Sequence, residues 1–213
     1  MKITLFNLRT TLILILFRLS LEALIFYGED LITLLVDLPF IPLNFINLLT
    51  ISIDLYLFIF LFFFLKFLDF KKSNFSLLVI IAMRILFICY EFYKSDTTNE
   101  TASGRIFLIT TVLLLVIATF FLCFTLLKYQ GILQKQLKIY ACFEILIFVV
   151  QILTPLSKVM FKMEYTIYFD YVLIAVSFMP YVALFLLYYK ASKIQEPHIE
   201  SDPNILDSGE YSV

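Results

Sequence analysis

The chain has 213 residues, of which 62% are hydrophobic and only 15% charged, and its mean hydropathy is +0.97. Apolar residues make up roughly half of a typical soluble chain, so a water-soluble core of this size cannot hide so much apolar surface. The charged residues gather between long apolar runs, as bilayer-spanning chains require. The sequence therefore predicts an all-α, polytopic helical membrane protein.

Charge and cysteine usage exclude several classes of partner and cofactor. A formal net charge of −1 provides no excess of basic residues for nucleic acid. Cys89, Cys123 and Cys142 are odd in number, lie inside apolar segments and show no CxxC spacing, so they indicate neither a disulfide framework nor a metal site. We expect no metal and no other cofactor.

An enzymatic function lacks its usual residues. The single histidine, His198, follows the last apolar segment, and no GxSxG, HExxH or P-loop spacing occurs. Asp170 has no glycine-flanked aspartate partner of the kind that intramembrane aspartyl proteases use. We therefore expect a protein that is not an enzyme.

Five segments are predicted to span the bilayer, because each supplies about twenty mostly apolar residues for a hydrocarbon core of roughly 30 Å. They are 45–65, 75–93, 106–127, 139–157 and 168–189. The segment 139–157 contains Glu144 and Pro155 but keeps the required length and its flanking lysines. The phenylalanine-rich run 58–64 is expected to face lipid.

The first apolar segment, 5–27, allows three interpretations because Arg18 and Glu22 interrupt it. The first is a sixth span, in which these two residues lie four apart on one helical face and neutralise each other. The second is a helix lying in the membrane interface, and the third is a cleaved signal peptide. The following apolar stretch, 31–43, is too short to cross, so we expect a short helix at the membrane surface.

The distribution of Lys and Arg predicts the orientation, because positive residues in short loops are retained in the cytoplasm. With six spans, one side receives ten: Lys2, Arg9, Lys66, Lys71, Lys72, Lys128, Lys135, Lys138, Lys190 and Lys193. The other side receives Lys94, Arg105, Lys158 and Lys162, which is four, while Arg18 and Arg84 lie within spans. Both termini are therefore predicted to be cytoplasmic.

An acceptor sequon agrees with this orientation. Asn99 begins Asn-Glu-Thr in the loop that the charge rule places outside, so Asn99 is a predicted glycosylation site. Asn74 begins a second match, but it lies on the cytoplasmic side and is predicted to be unused. A used sequon implies an integral protein of the eukaryotic secretory pathway, in the endoplasmic reticulum or the plasma membrane.

Charges at membrane depth are the main candidates for function, since each costs about 2.5–3.5 kcal/mol at a helix centre on insertion scales. Asp54 and Arg84 are each the tenth residue of their spans, and a short loop makes those spans antiparallel neighbours. We hypothesise that an Asp54–Arg84 ion pair fixes the packing of the two helices. The alternative is a proton or ion relay that includes Glu91 and Glu144, of which Glu144 lacks an obvious local partner.

The polar, acidic segment 191–213 cannot bury a core and is predicted to be a disordered cytoplasmic tail that follows a transmembrane domain of residues 1–190. Within it, Asp207, Ser208, Gly209 and Ser212 form a sequence that resembles the DSGxxS phosphodegron read by ubiquitin-ligase receptors. Val213 is a hydrophobic C-terminal residue of a kind that PDZ domains and export adaptors bind. An ordinary solvated tail is the alternative.

These features predict two kinds of function. All four glycines fall outside the predicted spans, which disfavours the broken helices of many transporters. We therefore expect a non-enzymatic protein that contacts other membrane subunits or itself within the bilayer, as a complex subunit or a trafficking and assembly factor, with an adaptor binding its tail. The alternative is a small oligomeric channel or transporter that uses Asp54, Arg84, Glu91 and Glu144.

Overall fold

A computed structural model of the chain describes residues 3–34, 43–95, 102–161 and 167–195. In chain order, these residues form α1 (Leu5–Leu34), α2 (Leu43–Phe67), a 3-10 turn (Lys71–Ser73), α3 (Asn74–Ser95), α4 (Ala102–Leu127), α5 (Gln134–Phe161) and α6 (Ile167–Gln195). The described residues contain no strand. The prediction of an all-helical chain is confirmed.

Four stretches of the described residues are long and apolar enough to cross a membrane: Leu48–Phe67, Lys71–Tyr90, Ile106–Leu127 and Ala175–Gln195. Their lengths of 20 to 22 residues match the roughly 20 residues that a hydrocarbon core requires. They identify the chain as an integral membrane protein. The two further predicted spans, in α1 and α5, remain predictions.

The first helix is longer than the sequence predicted. It continues through Gly28 and ends at Leu34, so residues 31–34 belong to α1 and not to a separate surface helix. A single glycine costs a helix only about 1 kcal/mol relative to alanine, which is too little to end α1 between strong helix formers. Residues 35–42, where the rest of the predicted surface helix falls, lie outside the described part of the chain.

The connection between α2 and α3 is a tight turn that places the two helices side by side. The N–H of Phe70 donates to the carbonyl of Leu65 at 2.9 Å, and the N–H of Asp69 donates to that of Lys66 at 3.1 Å. With Asp69 at φ 55°, this is a Schellman motif in which aspartate occupies the left-handed position that glycine usually takes. Because the connection is short, α2 and α3 are neighbours along their lengths.

The described residues divide into two compact units, 1–118 and 119–213. In the first unit, α2 packs against both α1 and α3. Side chains from all three helices are fully buried: Leu8, Ile15, Phe60, Leu61, Leu65, Leu77 and Ile80. Phe60 and Phe64 stack and are buried, so the expectation that the run 58–64 faces lipid is wrong for this side of α2.

In the second unit, α5 packs against α6. Three alanines of these two helices are buried: Ala141, Ala183 and Ala191. Small side chains let two helix backbones approach closely in a membrane, a part that glycine has in many helix pairs. Tyr140, Tyr188 and Ser192 are also buried and bring hydroxyl groups into this unit.

Candidate functional site

A buried ion pair links α1 to α2. The Nε of Arg18 donates to Oδ1 of Asp54 at 2.8 Å, and Nη2 of Arg18 lies 3.5 Å from Oδ2 of the same carboxylate. The side chains are 7% and 8% exposed, respectively. Charge-assisted contacts of an arginine fork with a carboxylate are among the strongest hydrogen bonds in proteins, and burial removes the competing water.

A second arginine reaches the same carboxylate from α3. Nη1 of Arg84 lies 3.4 Å from Oδ2 of Asp54. The guanidinium also lies over the ring of Phe58, with 4.8 Å between Cζ and the ring centroid. Phe58 follows Asp54 by one helical turn, so α2 presents a carboxylate and an aromatic face together to Arg84.

The fourth member of the cluster is Glu22 on α1, whose carboxylate pairs with Nη1 of Arg18. This is the i, i+4 pair that the sequence predicted within the first segment. Two arginines and two carboxylates give the cluster a formal charge of zero. We call Arg18, Glu22, Asp54 and Arg84 the charge cluster.

Sequence reasoning treated Arg18–Glu22 and Asp54–Arg84 as separate pairs, whereas the structure joins them through Arg18 and Asp54. Arg18 is the closer partner of Asp54, at 2.8 Å against 3.4 Å for Arg84. The sequence contains one signal of this, because Arg18 lies 13 residues from the start of α1 and Asp54 lies 13 residues before the end of α2. At 1.5 Å per residue, Arg18 lies about 20 Å from the start of α1 and Asp54 lies about 20 Å from the end of α2.

Glu144 belongs to the second unit and has a local partner that sequence reasoning missed. The hydroxyl of Tyr140, one turn earlier on α5, hydrogen-bonds to the Glu144 carboxylate. Cys123 and Tyr188 lie close enough to interact electrostatically with members of this pair. The i, i+4 spacing of tyrosine and glutamate was the available signal. A polar cavity around Glu144 stays a prediction.

Several predicted site residues lie outside what the structure describes. They are Asn99, Asp207, Ser208, Gly209 and Ser212, together with the side chain of Glu91. The three cysteines are free thiols; Cys89 and Cys142 are exposed and Cys123 is buried. Within the described ranges, no group of three or more His, Cys, Asp or Glu residues is arranged to hold a metal ion.

Comparisons with protein-family models, with curated proteins and with solved structures found no match to this chain. Any assignment of function therefore rests on the geometry of the charge cluster and of the surfaces around it. That geometry can hold three helices together within a membrane, since the ion contacts run between α1, α2 and α3.

Proposed function

We propose that this chain is a non-enzymatic, multi-pass membrane protein that acts through helix–helix contacts within the bilayer, as a subunit of a complex or as a trafficking and assembly factor. One observation carries the proposal: Asp54, the buried carboxylate of the charge cluster, is contacted by arginines from the two helices that pack against α2. Oδ1 of Asp54 accepts from Arg18, and Oδ2 lies beside Arg84.

A transported cation or proton would have to displace an arginine from Asp54. Both carboxylate oxygens are engaged, and the Asp54 side chain is 8% exposed. Breaking a buried ion pair by removing one partner costs about 3–5 kcal/mol, so displacement on every transport cycle would be expensive. Mutual neutralisation supports a fixed structural role, which is what an assembly protein needs from its own fold.

The exposed side of α4 offers a surface for a partner helix. Large apolar residues follow one another along it at three- and four-residue spacings: Ile106, Ile109, Leu113, Ile117, Phe121 and Phe124. This spacing forms one continuous apolar stripe on a helix. Lipid or an apolar helix of another membrane subunit fits this stripe, and the proposed function assigns it to a partner.

Within the proposal, the chain has six spans with the N-terminal end of α1 and the C-terminal end of α6 in the cytoplasm. The lengths of α1 and α5, 30 and 28 residues, allow each to cross the bilayer. Pairing of Arg18 with two carboxylates supports α1 as a span, because it offsets the insertion cost that a lone arginine carries. The excess of lysine at one side supports the orientation.

The proposed location is a eukaryotic secretory-pathway membrane, in the endoplasmic reticulum or the plasma membrane, with Asn99 glycosylated on the lumenal side. Translation in microsomes tests this topology, with Asn99→Gln and Asn74→Gln as a matched pair of sequon variants. We expect that only Asn99→Gln removes the glycan and that both ends of the chain remain sensitive to added protease. A protected N-terminal end, or a glycan lost on Asn74→Gln, would contradict the six-span arrangement.

Partner contact is tested by placing a photoreactive amino acid at Phe121, which is exposed on α4, and at the adjacent Leu122, which is buried. In native membranes we expect a discrete crosslinked protein from position 121 and none from position 122. Identification of the adduct as another subunit or a second copy then names the partner. Crosslinks to lipid alone from position 121 would contradict the proposed function.

The alternative function, a small oligomeric channel or transporter, is favoured by one observation: the Arg84 side chain is 26% exposed, the most of the charge cluster after Glu22. Ion and proton flux into liposomes containing the purified protein distinguishes the two functions. We expect no flux above that of empty liposomes. Flux that Asp54→Asn abolishes in a folded variant would establish the alternative.

A further inference from the structure

A groove of ≈ 450 Å³ lies on α5, at the beginning of the helix. It is lined by Gln134, Lys135, Lys138, Ile139, Cys142 and Phe143. The lining has a polar part and an apolar part. Two ammonium groups and an amide lie toward the start of the helix, and apolar side chains lie further along it. From Lys138 to Phe143 the helix advances about 8 Å, so charged and apolar parts are in reach of one amphipathic molecule.

In the proposed six-span arrangement, the beginning of α5 lies at the edge of the membrane. The candidate span Ile106–Leu127 ends seven residues before Gln134. The connection is compact: the N–H of Tyr129 donates to the carbonyl of Leu126, and the N–H of Gln134 to that of Gly131. In that arrangement the groove begins at the level where lipid headgroups meet the hydrocarbon core, and its apolar part follows the helix into that core.

The end of the second unit that holds the groove is strongly basic. Its lysines are Lys128, Lys135 and Lys138, and the proposed topology adds Lys190 and Lys193 at the same membrane surface. Residues 119–195 contain only three acidic residues, Glu144, Glu164 and Asp170. Among the described residues, no carboxylate lies within 4.0 Å of the ammonium of Lys135 or Lys138.

We propose that this groove binds an anionic phospholipid. The phosphate contacts Lys135 and Lys138, and an acyl chain lies against Ile139 and Phe143. Charge complementarity selects an anionic over a neutral headgroup, since each lysine near a membrane surface contributes to the attraction of anionic lipid. The apolar part of the groove selects a lipid over a free phosphate ion, which would leave that part empty. The proposal rests on the proposed membrane topology, in which α5 is a span, and not on the proposed role in assembly; the microsome experiment tests that topology separately.

The experiment measures lipid bound to the full chain after extraction from bilayers of phosphatidylcholine that contain phosphatidylglycerol, by native mass spectrometry. The test variant is Lys135→Gln/Lys138→Gln. The matched control is Lys71→Gln/Lys72→Gln, which removes the same charge from an exposed lysine pair in the first unit. A third variant lacks residues 196–213, because the acidic residues of that segment are the competing occupant.

We expect wild type to retain phosphatidylglycerol in preference to phosphatidylcholine. The test variant should bind it about 30-fold more weakly, and the control and the truncated chain should bind as wild type does. Glycerol phosphate added in excess should not displace the lipid. Four results would each overturn the proposal: equal losses in both lysine variants, equal retention of the two lipids, displacement by glycerol phosphate, or stronger lipid binding after truncation.

Discussion

The two units of the molecule place polar groups in apolar surroundings by different means. In the first unit, two arginines and two carboxylates meet and neutralise one another across three helices. In the second unit, the core between α5 and α6 contains buried tyrosines, and its one described carboxylate, Glu144, is hydrogen-bonded by Tyr140. One unit therefore uses ion pairs between helices, and the other uses hydroxyl groups and small side chains.

This difference predicts how the units respond to substitution. A charge removed from the first unit leaves another charge buried without its counter-ion, and that cost is several kcal/mol. Removing the Glu144 carboxylate leaves a neutral hydroxyl, and removing the Tyr140 hydroxyl leaves a carboxylate that is only half-buried, so each change should cost about 1–3 kcal/mol. We therefore expect the packing of the first unit to be specific and its stability to be sensitive to the removal of a charge. The stability of the second unit should tolerate such a change.

The largest effect is expected from Asp54→Asn. The substitution leaves Arg18 and Arg84 with only Glu22 as counter-charge, so it should lower the free energy of unfolding in detergent micelles by about 3–5 kcal/mol. Asp69→Asn is the matched control, because Asp69 is 82% exposed and pairs only with the exposed Lys71 at 3.3 Å. The control should change stability by less than about 1 kcal/mol. Equal effects of the two substitutions would show that burial of the carboxylate is not what matters.

A smaller difference is expected between the two arginines. Arg18→Gln breaks contacts with both Asp54 and Glu22, whereas Arg84→Gln breaks one longer contact and the stacking on Phe58. Arg18→Gln should therefore destabilise the protein more, by about 1–2 kcal/mol relative to Arg84→Gln. The same unfolding measurement checks this order, and the reverse order would make α3, and not α1, the main partner of Asp54.

In the second unit, Glu144→Gln should change stability by less than about 1 kcal/mol, because a carboxamide oxygen also accepts a hydrogen bond from Tyr140. Tyr140→Phe should cost about 1 kcal/mol, since it removes the donor and leaves the carboxylate. Thermal unfolding of the two variants beside wild type provides the measurement. A loss from Glu144→Gln as large as that from Asp54→Asn would abolish the distinction between the units.

The smallest effect concerns Tyr129, in the connection before α5, where burial raises the pKa of the phenol. Its neutral form is favoured by folding, so its contribution to stability is present below pH about 10 and is lost as pH rises through the higher folded pKa. Unfolding measured across alkaline pH should show a shallower decline for Tyr129→Phe than for wild type. Identical declines would show that this phenol does not ionise on unfolding.

The sequence predicted much of the fold and part of the site. Hydropathy located the helices, and the short connection before α3 correctly placed Asp54 and Arg84 on neighbouring helices. The contact of Arg18 with Asp54 was missed because it joins residues 36 apart, and local spacing reports only on neighbours along one helix. The buried side of the run 58–64 was missed because composition alone does not distinguish lipid from protein as the surroundings of phenylalanine.

A double-mutant cycle tests whether mutual neutralisation holds the charge cluster together. Asp54→Asn combined with Arg84→Gln leaves Arg18 and Glu22 as a neutral pair. We predict that the free energy of unfolding of this double variant is higher than that of Asp54→Asn alone. The coupling energy should be about 1–3 kcal/mol. If the losses in the free energy of unfolding of the two single variants instead add to within about 0.5 kcal/mol, the charges act independently. Mutual neutralisation would then not be what holds the charge cluster together.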